Sequence, residues 1–125
     1  MSGRRLRADF FVAALRRRAE AAGAFVSIAR RGAEEAGAIF IVVDRRDGRV
    51  DLYGPAPQSV FDEAQPEDRL FAPMLENATA ELARTRLEQE TRFDPDLWQI
   101  DIEDRDGRAF VDLLPPRKQS GFTFR

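Results

Sequence analysis

The chain has 125 residues, of which 43% are hydrophobic and 34% charged, with a formal net charge of −2. That length and balance fit a single globular domain, large enough to bury about two thirds of its unfolded surface, and exclude a disordered chain. Cysteine and histidine are both absent, which removes disulfides, thiolate nucleophiles, imidazole bases and ordinary zinc sites. Any catalysis would have to use carboxylates, arginines, hydroxyls and the single tyrosine, Tyr53. Few general acid–base pairs are built that way, so a non-enzyme with no cofactor is the expectation.

No uninterrupted apolar run exceeds the six residues of Ala38 to Val43, far short of the ~20 that span a bilayer. The N-terminus is basic but lacks the apolar core of a secretory signal. No membrane association and a cytoplasmic location are therefore expected. Charge is divided unevenly. Residues 1–31 hold eight arginines against Asp9 and Glu20, a net +6, and the remainder is net −8.

In chain order, residues 5–22 read as a helix, with Phe11, Val12, Leu15, Ala19 and Ala22 in one apolar arc and Gly23 ending it. Arg16, Arg17 and Arg18 point 100° apart, and Arg18 lies at the margin of the apolar arc, where its stem covers the core. Ala24 to Arg30 alternates as a strand, with Val26 and Ile28 on one face. Arg31 to Gly37 is a polar loop bracketed by glycines. Ala38 to Val43, apolar on both faces, suits a strand central to a sheet covered on both sides. Asp47-Gly48 turns it into a third strand, Val50 to Tyr53.

Arg69 to Leu75 has strand composition, but Pro73 restricts it to an edge. Asn77 is read as the N-cap of a second helix over 78–92, which Asp94-Pro95 ends. Leu97 to Glu103 alternates cleanly, with Trp98, Ile100 and Ile102 inward and Gln99, Asp101 and Glu103 outward. Asp106-Gly107 is expected to turn it so that Ala109 to Leu114 pairs back. The order α-β-β-β-(β)-α-β-β describes a two-layer α+β domain over residues 1–116, with two helices on a mainly antiparallel sheet. Residues 117–125 are expected to be a disordered tail.

The acidic segment 94–106 invites a calcium reading, but with Gly107 at position six of an EF-hand loop, Ile102 and Leu113 occupy ligand positions. With Gly48 there, Val43 and Arg45 do. A solvated strand face and turn explain the carboxylates better. The N-terminal arginines, with Phe10 and Phe11, invite a nucleic-acid reading, but they scatter around the helix instead of forming one face. Leu6 and Phe10 lie towards the polar side of the first helix. An exposed ridge there, with Arg17, Arg30 and Arg31 nearby, would be a contact site for a protein partner or a homodimer.

Three segments together carry a resemblance: Arg5 to Arg17; Arg30-Arg31-Gly32 with Ala36-Gly37-Ala38-Ile39-Phe40; and Phe93-Asp94-Pro95-Asp96-Leu97-Trp98 through Glu103-Asp104-Arg105-Asp106-Gly107-Arg108. The chain resembles an uncharacterised family of short bacterial proteins, a domain-of-unknown-function family found mainly in alphaproteobacteria. The resemblance implies one cytoplasmic bacterial domain and supplies no catalytic residue, cofactor or partner. Residues 55–76 fit the pattern least. Function is therefore left open by the sequence, with a protein-interaction or self-associating domain as the leading reading. Nucleic-acid binding, and a carboxylate/arginine enzyme or metal-binding protein, are the alternatives.

Overall fold

In a computed structural model, residues 6–57 and 69–114 are described. Arg4, Arg5 and the expected tail, 117–125, lie outside them. The elements in chain order are α1 (Ala8–Ala21), β1 (Phe25–Arg30), β2 (Ile39–Asp44), β3 (Val50–Pro55), β4 (Phe71–Ala78), α2 (Ala80–Phe93) and β5 (Trp98–Glu103). The strands form one sheet in the order β1-β5-β2-β3-β4. Pairing is antiparallel except between β2 and β5, which run parallel. This is the expected α+β class with its two helices and mainly antiparallel sheet.

The central position of β2 follows from its sequence. Ile39, Ile41 and Val43 pack with Ala8, Val12, Leu15 and Ala19 of α1, and with Ile100, Ile102 and Trp98 of β5. Phe40, on the other face, packs with Leu52, Leu87 of α2 and Leu97. Successive strand residues point to opposite faces, so α1 and α2 lie on opposite sides of the sheet. The two layers expected become three, with the sheet in the middle.

Two further expectations are corrected. Ala109 to Leu114 does not return beside β5, because β1 and β2 already occupy both of its edges. The segment crosses to the far side of the molecule, where it makes an isolated bridge between Leu113 and Phe71. There the Phe71 N–H donates to the Asp112 carbonyl, and the Leu114 N–H to the Phe71 carbonyl. The N-cap of α2 is Thr79, not Asn77, and its hydroxyl accepts from the Leu82 N–H at 3.1 Å. Asn77 instead adopts a left-handed conformation, φ 55°, as β4 ends. β4 is an edge strand, as Pro73 requires, and its register with β3 slips around Leu52 and Tyr53.

α1 starts without a side-chain cap. Its first amides are satisfied from the loop after β1: Ala8 N–H donates to the Glu35 carbonyl at 3.1 Å, and Asp9 N–H to that of Glu34 at 3.0 Å. The same loop grips the start of β5. Trp98 Nε1 donates to the Ala33 carbonyl at 2.8 Å, and Ala33 N–H to the Asp96 carbonyl at 2.9 Å. A Cβ on Gly32 would collide with the Asp96 carbonyl and the Trp98 ring, and one on Gly37 would come within 2.8 Å of both. The paired glycines are there to let this loop approach.

Candidate functional site

The two sides of the sheet are covered unequally. α2 buries Ala83 and Leu87, lies mainly over β3 and β4, and reaches Phe40 of β2 through Leu87. Among the described residues, no helix lies over the other part of that face, formed by β1 and β5. Five strands at about 4.8 Å spacing span roughly 19 Å, and one helix about 10 Å wide covers half of that. What remains is a groove of about 1090 Å³ between α2 and the bare strands.

Its floor is the outward face of β5 with its neighbours. Asp101 stands beside Ser27 of β1 and Val42 of β2, and Glu103 beside Phe25 and Asp44. Phe25 is 66% exposed, an aromatic side chain at the open end. The wall is one side of α2, where Ala80, Ala83, Leu87 and Thr91 alternate with Arg84, Glu88 and Arg92. Helical spacing of four residues aligns the last three as a plus–minus–plus stripe.

Charges in the groove are poorly compensated. Arg84, Glu88, Arg92, Asp101 and Glu103 form no ion pair among the described residues. Burial holds the Asp101 carboxyl above the ordinary aspartate range, and like charge on Asp44 and Glu103 pushes the same way, against a hydrogen bond from Gln99. That bond, Gln99 Nε2 to Asp101 Oδ1, is 2.9 Å. Among the described residues, no three carboxylates converge as ligands for a metal ion. Tyr53 lies on the α1 side of the sheet, within the core shared with that helix.

The residues singled out from the sequence are dispersed. Leu6 and Phe10 are 50% and 56% exposed, on the α1 side, away from the groove. The Arg7 guanidinium lies 5.0 Å from the Phe10 ring centroid. Leu6 lines a smaller hollow of about 400 Å³ with Phe11, Arg18 and Phe110. Arg17 is exposed on α1. Arg30 and Arg31 are occupied within the fold: Arg30 donates to the Pro95 carbonyl at 2.7 Å, and Arg31 lies 5.0 Å from the Trp98 ring centroid. Of the five, only Arg30 reaches the groove.

The remaining distinctive residues hold turns. Arg108 donates from Nε and NH2 to the two oxygens of Asp104, at 2.9 and 2.8 Å. The guanidinium holds the Asp104 carboxyl below its usual range. Asp51, fully buried, accepts from Arg45 at 2.6 Å and from the Asn77 N–H at 2.8 Å. The groove residues Arg84, Arg92, Ser27 and Asp44 were not singled out from the sequence. The one available signal was the four-residue spacing of Arg84, Glu88 and Arg92, which also describes any solvated helix.

Fold and groove together define a small three-layer α+β domain in which, among the described residues, one sheet face is half open. The chain belongs to the family described as "Protein of unknown function (DUF1491)", whose profile matches residues 6–112. It is similar to protein Atu0922 from A. tumefaciens, known from a solution structure, with 43% identity and a TM-score of 0.79 over 90% of this chain and 98% of that one. A crystal structure of a DUF1491 family protein from Caulobacter crescentus CB15 is similar at 36% identity, TM-score 0.73, covering 88% of this chain and 98% of that chain. An NMR structure of a family protein from the same organism gives 36% identity and TM-score 0.72 over 88% and 97% of the two chains. No curated protein matches.

Proposed function

We propose that the protein is a bacterial, cytoplasmic interaction domain without catalytic activity, whose docking site is the groove between α2 and the bare half of the sheet. The observation that carries this reading is the half-covered face. A sheet face with an exposed phenylalanine and a helix-wide space that no described residue fills is a surface suited to a partner. The arginines favour this reading over nucleic-acid binding. Arg7 pairs with Asp9, Glu34 and Glu35, Arg16 pairs with Glu20, and Arg18 donates to the Phe110 carbonyl. Such internal partners leave few of these cations to make a coherent phosphate-binding patch.

Leu6, Phe10 and Arg17 support a second, smaller contact surface on α1, since Leu6 and Phe10 are both at least half exposed. Affinity capture of the tagged protein, with and without nuclease, separates these readings. A groove blocked by Ser27→Trp should lose the captured protein, while Phe10→Ser should keep it. Loss with Phe10→Ser alone would move the docking site to α1. Capture abolished by nuclease would replace the protein reading with nucleic acid.

A further inference from the structure

The groove's charges also constrain what fits there. Resting on the groove as a docking site, we propose that its occupant is an amphipathic α-helix of a partner protein. This helix lies beside α2 over β1 and β5, with an acidic stripe towards α2 and basic side chains towards the sheet.

Three observations carry this. The bare strip over β1 and β5 is one helix wide, and two parallel-lying helices at about 10 Å spacing would complete the face. The opening is onto the sheet's face, where a partner helix packs; an added strand would have to use the edge of β1, which is bulged between Ile28 and Arg30. The charges then set the helix's polarity. Arg84 and Arg92 project from the wall with no ion-pair partner among the described residues, and Asp101 and Glu103 lie on the floor likewise.

On the sheet side Asp44, Asp101 and Glu103 outnumber Arg30 and Arg46, on the wall Arg84 and Arg92 outnumber Glu88, and no ion pair crosses the gap among the described residues. An entering helix with acidic residues about eight positions apart matches the two-turn spacing of Arg84 and Arg92, and lysines or arginines on its adjacent side reach Asp101 and Glu103. Burying these charges in such pairs gives specificity and faster association more than raw affinity. A second copy fits less well. The outer side of its α1 carries Arg17, but Arg16 is paired with Glu20 and Arg7 with Asp9, Glu34 and Glu35, so α1 has no acidic stripe free for Arg84 and Arg92.

The probe is a displayed library of helical peptides about 14 residues long with randomised faces, selected against the full chain. Amide NMR shifts at Ser27, Gln99 and Asp101 report groove occupancy. Selected peptides should carry an acidic stripe beside a basic one. Selection against Arg84→Glu/Arg92→Glu should exchange the acidic stripe for a basic one, and the original peptides should lose affinity at least about tenfold. Should that variant not fold, Asp101→Asn/Glu103→Gln should instead remove the preference for the basic side.

Peptides that shift the groove amides without these stripes, or that bind extended, overturn the helix assignment and leave the groove standing. If no peptide shifts those amides, the docking site fails with it. Concentration-dependent polymerisation abolished by Arg17→Glu would make a second copy the occupant and overturn the proposal.

Discussion

Trp98 joins the two most distinctive stretches of the sequence. Its ring packs against Gly32 and Gly37 of the glycine-bracketed loop, Arg31 stacks on it, and its indole N–H satisfies the Ala33 carbonyl. The loop it holds also supplies the carbonyls that cap α1. Replacing Trp98 with phenylalanine removes one buried donor and part of the ring, and is expected to cost about 1–3 kcal/mol in urea unfolding. Gly32→Ala should cost a similar amount through overpacking against backbone that cannot yield. Asp101 acts in the opposite sense. Its carboxyl is held above the ordinary range, so its charged form opposes folding at neutral pH, and that penalty is relieved as pH falls through its folded-state pKa. Asp101→Asn should therefore raise the Tm at pH 7, and the gain over the wild type should shrink steadily on acidification. A Tm difference independent of pH would mean that the charge is not the cause.

At the scale of elements, much was legible where a local pattern decides the outcome. The two-sided apolar run of β2 marked it as central, the alternation of β5 set its inward and outward faces, and Pro73 marked an edge. What was illegible depends on pairing between distant segments. The turn at Gly107 is real, with φ 71°, but a turn cannot make a hairpin when β1 and β2 already flank the strand. Similarly, the Gln99, Asp101 and Glu103 face looks like any wet strand face, and only the placement of α2 beside it makes a groove. The cap of α2 shows the same limit on a smaller scale. Asn77 and Thr79 are both good capping residues, and the left-handed turn taken by Asn77 leaves the cap to Thr79. Thr79→Ala should cost about 1 kcal/mol of stability, whereas Asn77→Gly, free of strain at that φ, should cost little or stabilise. Equal losses at both positions would place the helix start elsewhere.

At the scale of the whole molecule, two sets of charges among the described residues stand apart. One holds the fold: Asp104 with Arg108, Asp51 with Arg45, and Arg7 with its three carboxylates. The other, Arg84, Glu88, Arg92, Asp101 and Glu103 in the groove, has no ion-pair partner among the described residues. These populations should respond differently to mutation. Asp104 is nearly buried and its carboxyl is held low by Arg108. Its contribution is therefore present above the unfolded aspartate pKa and lost as pH falls through the folded one. Asp104→Ala should lower the Tm at pH 7, and its difference from the wild type should close in acid. Arg84→Glu and Arg92→Glu break no ion pair, and each should change stability by less than about 0.5 kcal/mol, as exposed substitutions usually do. Thermal melts of all three at pH 7 test the division. If the α2 reversals destabilise as much as Asp104→Ala, the groove arginines serve the fold. If they leave the melt unchanged while abolishing partner capture, those charges are kept for a surface outside the molecule.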